Sequence, residues 1–130
     1  MNYNFVVMET FGKWLLRHRK ALDFKQEDVA TRAGISISYV STLERDQPNT
    51  STGDSIRPEP DVVENIAKAV NGDVAEALAF FGYASREAVK TVRDRIKVSD
   101  FDGFDKNDLD DIANYIAYKR ALKDKEKERE

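Results

Sequence analysis

The stretch Gln26–Arg45 constrains the fold of this chain more than any other. Apolar residues recur along it at the 3.6-residue spacing of an α-helix, in one run before Gly34 and a second run after it. Gly34 follows the last apolar residue of the first run, where glycine enters a left-handed turn at no steric cost. Ser36 then supplies a hydroxyl that can cap a second helix by accepting a hydrogen bond from a freed backbone N–H. The stretch therefore predicts two short helices joined by a tight turn.

Composition narrows the class of protein further. The chain has 130 residues, no cysteine and one histidine, His18, which excludes disulfides, zinc fingers and histidine-rich metal sites. Its apolar runs are far shorter than a membrane span, and its first residues lack the basic start and apolar core of a secretory signal. We therefore expect a cytoplasmic protein without membrane contact, made of one domain or of one small domain with an appendage.

Charge is distributed unevenly along the chain. The net charge is −3, which argues mildly against a nucleic-acid-binding protein. Residues 13–32, however, contain six lysines and arginines against three acidic residues. A basic face on an otherwise acidic chain is compatible with DNA binding.

Helical periodicity continues on both sides of the central stretch. It predicts one helix before it, over about residues 9–22, and helices over 60–70 and 74–81 after it. Helices over about 86–97 and 109–123 follow. The prediction is an all-α fold, with a five-helix bundle in residues 1–83 and a helical C-terminal extension in residues 84–130. Residues 48–57 are polar and predict a loop, either a flexible insertion or a contact with a partner or DNA.

The last predicted helix carries two apolar stripes, which is typical of a helix that contacts more than one surface. We assign to homodimer formation the residues Leu109, Ile112, Tyr115 and Ile116. Two alternatives stay open: both stripes pack on the same bundle, or the extension binds another protein.

The acidic residues between Asp100 and Asp111 invite a calcium-loop interpretation. With Gly103 at the sixth place of an EF-hand loop, however, Val98 and Leu109 would occupy the first and last places, which require acidic ligands. There is no glycine-rich phosphate loop and no nucleophile within a histidine-containing constellation. The sequence therefore predicts no enzyme activity, no metal site and no cofactor.

The second helix of the central stretch would present hydroxyls and one branched apolar side chain outward, which suits base edges and thymine methyl groups. The predicted base contacts are Ser36, Ile37, Ser38 and Thr42. The predicted phosphate contacts are Lys25, Gln26, Tyr39 and Arg45. Because this face has few Arg, Asn or Gln side chains, we expect modest base discrimination, aided by dimerisation and DNA shape.

These residues resemble the Cro and phage-repressor type of helix-turn-helix family, also called the xenobiotic-response-element family. The matching positions include Arg19, Phe24, Gln26, Val29-Ala30, Ala33-Gly34-Ile35-Ser36, Tyr39-Val40-Ser41 and Leu43-Glu44-Arg45. The resemblance covers about residues 9–83, since residues 60–83 are similar to the family's last two helices. The chain departs from the family at Asp23, where glycine is common, and in the insertion at residues 48–57.

The resemblance implies a repressor-like five-helix fold and a homodimeric repressor that binds double-stranded operator DNA. It implies that Ser36–Arg45 is the recognition helix in the major groove, with Gln26 on a phosphate. It also implies an ion pair between Arg19 and Glu44 that bridges the first and third helices. The alternatives are the antitoxin of a toxin–antitoxin pair, or a protein-interaction adaptor that keeps the fold without reading bases.

Overall fold

The computed structural model describes residues 9–46 and 57–128, which contain seven α-helices, one 3₁₀ helix and no strand. The helices are α1 (Phe11–Ala21), α2 (Gln26–Ala33), α3 (Ile37–Glu44), α4 (Pro60–Ala69), α5 (Val74–Ala79), α6 (Arg86–Arg95), the 3₁₀ helix (Val98–Phe101) and α7 (Lys106–Glu128). The predicted all-α fold class is therefore confirmed. The predicted loop over residues 48–57 lies outside the described residues, except for Arg57.

The chain divides into two compact units between Ala77 and Leu78, within α5. In the first unit, α2 packs against α3 and α4, and α1 packs against α3. The largest fully buried side chains of this unit are Trp14, Leu15, Ile66, Val29, Val40, Val63 and Val70. The predicted division into residues 1–83 and 84–130 falls a few residues later and stays a prediction.

The second unit is built on the pairing of α6 with α7. Val92, Ala113 and Ala117 form its buried cluster, and Ile116 is among the partly buried side chains packed against them. The amide of Asn114 fixes the chain before α6, because its Oδ1 accepts from the N–H of Ala84 at 2.9 Å and its Nδ2 donates to the Gly82 carbonyl at 3.0 Å. Small residues on α7 let the two helices approach closely.

Several helix ends differ from those predicted, and capping side chains set the starts of α1 and α7. The hydroxyl of Thr10 accepts from the N–H of Lys13 at 3.2 Å, so α1 begins at Phe11 and not at residue 9. Asp105 and Asp108 cap each other's backbone N–H groups at 2.9 and 3.0 Å, so α7 begins at Lys106 and not at 109. Helix α7 also continues to Glu128, and α5 and α6 end two residues before their predicted limits.

The residue that ends α4 in the left-handed conformation is not a glycine. Asn71, and not Gly72, takes the left-handed conformation, with φ of 53°. Gly72 donates its N–H to the Ala67 carbonyl at 2.8 Å. A Cβ at residue 72 would lie 2.5 Å from the ring of Trp14, so glycine is required there by packing.

Candidate nucleic-acid interface

The turn between α2 and α3 has the backbone geometry that its sequence predicts. Gly34 lies in the left-handed region, with φ of 72° and ψ of 34°, and its N–H donates to the Ala30 carbonyl. A Cβ at residue 34 would meet no atom within 4 Å, so the dihedral angle alone favours glycine. The hydroxyl of Ser36 then accepts from the N–H of Tyr39 at 3.0 Å and caps α3.

The two helices bury one face of each and leave the other in solvent. Val29 and Ala30 of α2 and Val40 and Leu43 of α3 are buried. In the first turn of α3, three residues before Val40, Ile37 is 49% exposed. The exposed surface of α3, called its outer face below, therefore combines the hydroxyls of Ser36 and Ser38 with the half-exposed side chain of Ile37.

The four predicted base contacts differ in their exposure. Ser36 and Ser38 are exposed and Thr42 is half-buried. The Thr42 hydroxyl donates to the Ser38 carbonyl at 2.9 Å, so in this arrangement it offers only acceptor capacity to a ligand. The Ser36 hydroxyl uses one acceptor position in its cap and keeps its proton for another partner.

The four predicted phosphate contacts lie in less uniform surroundings. Lys25 and Arg45 are exposed, at the start of α2 and the end of α3, and Tyr39 is half-buried. The amide of Gln26 is already engaged, because its Nε2 donates to Oε1 of Glu44 at 2.9 Å. One N–H of the Gln26 amide is therefore bonded to Glu44, and the second N–H could donate to an acceptor such as a phosphate oxygen.

Arg19 and Glu44 form a two-pronged ion pair between α1 and the end of α3. Nε of Arg19 lies 2.6 Å from Oε2 of Glu44, and Nη2 lies 2.9 Å from Oε1. Nη1 of Arg19 also donates to the Phe24 carbonyl at 2.9 Å. The two side chains are only 13% and 4% exposed. The pair thus fixes α3 against α1 and, through Glu44, holds Gln26.

A second connection between α1 and α3 was not predicted from the sequence. The carboxylate of Asp46 accepts from the Thr10 hydroxyl at 2.7 Å and from the N–H of Gly12 at 3.1 Å, and so caps α1. A Cβ at Gly12 would lie 2.4 Å from the Leu43 carbonyl oxygen. The one available signal was a glycine inside a helical pattern, which often marks a close backbone approach.

The residues assigned to dimerisation are not equally accessible. Leu109 is buried, and Ile116 packs against the cluster between α6 and α7. Ile112 is half-buried, whereas Tyr115 is 64% exposed. The assignment stays a prediction, and Tyr115 is the member best placed to contact another molecule.

Within the two described ranges, no three acidic, histidine or cysteine side chains are grouped so that they could hold a metal ion. Among the helices of those same ranges, none has an apolar stretch sufficient to span a bilayer.

A family model described as a helix-turn-helix domain matches residues 11–80, more than half of the chain. The match runs from α1 through α5 and ends before α6. The chain therefore belongs to this helix-turn-helix family of DNA-binding domains, as the residues predicted. Searches of curated proteins and of solved structures gave no significant match. The narrower Cro and phage-repressor type stays a prediction.

Proposed function

We propose that this chain is a sequence-specific transcriptional regulator of the Cro and phage-repressor type, which binds operator DNA as a homodimeric repressor. In this proposal Ser36–Arg45 is the recognition helix and lies in the major groove. The observation that supports it best is the outer face of α3. There Ser38 is exposed on the side of the helix opposite the buried Val40 and Leu43, and Ile37 is half exposed in the first turn.

The side chains on this face determine which groups of the DNA bases it could contact. Ser36 and Ser38 can donate to or accept from base edges, and Ile37 can pack on a thymine methyl group. The Thr42 hydroxyl donates its hydrogen bond to the Ser38 carbonyl and can only accept a further one. It therefore suits the exocyclic amino groups of adenine or cytosine, which donate. None of the four supplies a bidentate contact. DNA shape and the second half-site must therefore provide much of the specificity.

Phosphate binding would position the recognition helix. The exposed cations Lys25 and Arg45 lie at the two ends of the motif, and Tyr39 adds a hydroxyl. Gln26 occupies the first position of α2, where backbone N–H groups also favour an anion. Its bond to Glu44 would orient the remaining amide N–H toward a phosphate oxygen. In this account Glu44 acts as a positioning residue.

Selection from a random pool of double-stranded DNA tests the proposal. A homodimer should enrich two symmetric half-sites whose centres are about 10 base pairs apart, or a multiple of that spacing. Enrichment of a single unrepeated site would contradict the dimer. Failure to enrich any sequence would contradict sequence-specific binding.

Substitutions on the face then test the readout. Ser38→Ala and Thr42→Ala should relax preference at one or two base pairs, each at a cost of about 0.5–1.5 kcal/mol on the preferred sequence, the net contribution of a single hydrogen bond. Gln26→Ala should weaken binding to all sequences equally. Thr91→Ala is the matched control, because the Thr91 hydroxyl of α6 donates to the Glu87 carbonyl at 3.0 Å, just as Thr42 bonds to its own helix. Identical behaviour of the three test variants would refute the assignment of base and phosphate contacts.

A protein-binding role is the second candidate. The net charge of −3 and the α6–α7 unit, which lies beyond the matched residues, favour a protein partner. An antitoxin would enrich DNA and also bind a toxin protein, whereas an adaptor would enrich no DNA. The same selection experiment therefore separates the adaptor from the regulator.

A further inference from the structure

One face of α7 is exposed and apolar at its centre. Tyr115 is 64% exposed and Leu122 is 37% exposed, and Ile112 and Tyr118 beside them are half-buried. Ala117, which is buried against α6, lies about 160° around the helix from Tyr115 at 3.6 residues per turn. The side of α7 that faces away from α6 is thus a separate surface.

The charges of α7 change from acidic before its uncharged centre to basic after it. Residues 106–111 carry three aspartates and one lysine, residues 112–118 carry no charge, and residues 119–123 carry two lysines and one arginine. The exposed apolar centre is therefore bounded by an acidic segment on one side and a basic segment on the other. Two such helices placed in parallel would set like charges against each other. An antiparallel arrangement sets acidic against basic segments.

We propose that two copies of the chain associate through this face of α7, antiparallel, with the two-fold axis at Tyr115. Residues equally far from Tyr115 in opposite directions then face each other. Asp111, four residues before it, faces Lys119 of the second copy, four residues after it, and this contact occurs twice. Ile112 faces Tyr118 of the second copy in the same way.

The states of these side chains fit that arrangement. Asp111 and Lys119 are both exposed, and neither forms an ion pair within the part of the chain that the structure describes. Antiparallel pairing also places opposite ends of the two helix dipoles together. The inference rests on the proposed homodimeric regulator and moves the dimer contact from Leu109 and Ile116 to the outer face of α7.

Single cysteines test the geometry, because the chain has no cysteine of its own. Tyr115→Cys places two thiols at the axis, so oxidation of the full chain should give a disulfide-linked dimer on a non-reducing gel. Leu122→Cys lies on the same face but seven residues from the axis. Its two copies would be separated by about 21 Å along the helix, at 1.5 Å per residue, beyond the reach of a disulfide. Crosslinking of both variants, or of neither, would overturn the proposal.

Charge reversal tests the pairing independently. Asp111→Lys turns two attractions into two repulsions and should raise the dimer dissociation constant on the order of tenfold in sedimentation equilibrium. Adding Lys119→Asp to the Asp111→Lys variant should restore the dissociation constant of the parent chain. Asp94→Lys, an equal charge change at an exposed position of α6, should leave the constant unchanged. A double variant that dissociates as readily as Asp111→Lys alone would overturn the proposal.

Different results would contradict the α7 interface and the proposed DNA-binding function. A chain that stays monomeric at all concentrations but still enriches DNA would overturn the α7 interface and leave DNA binding intact. A chain that crosslinks through Tyr115→Cys but enriches no DNA would support the interface and contradict the regulator.

Discussion

Removal of the Glu44 carboxylate should destabilise the first unit more than any change on the outer face of α3. That carboxylate accepts two bonds from Arg19 and one from Gln26. Within residues 9–46 and 57–128, Glu44→Ala would leave the guanidinium with only its bond to the Phe24 carbonyl. Breaking a buried ion pair by removing one partner costs about 3–5 kcal/mol. Because Arg19 is 13% exposed, water can reach one edge of it, and we expect the lower end, about 3 kcal/mol.

Urea unfolding followed by tryptophan fluorescence measures this effect, since Trp14 is the single tryptophan and is buried in the first unit. With a urea dependence of about 1.5 kcal/mol per molar, a loss of 3 kcal/mol lowers the midpoint by about 2 M. The double variant Arg19→Met with Glu44→Leu removes both charges and fills the space. It should lie within about 1 kcal/mol of the parent chain.

Two results would refute this reasoning. A cost below about 1 kcal/mol for Glu44→Ala would mean that the pair behaves like an exposed surface ion pair. A double variant whose loss equals the sum of the losses of Arg19→Met alone and Glu44→Leu alone would mean that Arg19 and Glu44 do not act on each other.

Three further predictions use the same fluorescence assay. Gly12→Ala should destabilise by about 1–3 kcal/mol, although alanine is the better helix former, because its Cβ would approach the Leu43 carbonyl oxygen. Asp23→Ala should be about 1 kcal/mol less stable than Asp23→Gly, because residue 23 has φ of 57°. Glu9→Gln should destabilise slightly at neutral pH and not in acid. The hydrogen bond from Arg17 lowers the pKa of Glu9 from its ordinary 4.5, so this contribution is complete well above pH 4.5 and is lost as pH falls through the lower folded-state pKa.

Each of these has a clear contrary result. A neutral or stabilising Gly12→Ala would mean that α1 and α3 do not approach closely. Equal stability of Asp23→Ala and Asp23→Gly would argue against the left-handed turn. A Glu9→Gln effect that grows as the pH falls would have the wrong sign for a lowered pKa.

The motif itself could be predicted because its signals are local. Gly34 marks a left-handed turn and Ser36 a helix cap, and each acts on residues within a few positions of it. The last helix was predicted too short, as residues 109–123. Apolar spacing marks only the packed part of α7, whereas its start depends on the Asp105–Asp108 cap and its end on charged residues with good helix propensity.

Contacts between distant residues had no comparable signal. Asp46 lies 34 positions from Gly12, and Glu76, whose Oε1 accepts from Nε1 of Trp14 at 3.0 Å, lies 62 positions from it. No period or spacing connects such pairs, because they depend on how the helices pack. The partnership of Arg19 with Glu44 was inferred from the family resemblance, and its link to Gln26 is visible only in the structure.

The salt dependence of DNA binding tests the central claim most directly. Lys25 and Arg45 are the exposed cations assigned to phosphates, which gives four per dimer. Counterion release then predicts a slope of about −3.6 in log affinity against log salt, a loss of roughly a hundredfold between about 50 and 200 mM. Removing both cations with Lys25→Ala and Arg45→Ala should flatten the slope. Failure of the parent chain to bind either random or genomic DNA at about 50 mM salt would contradict the account.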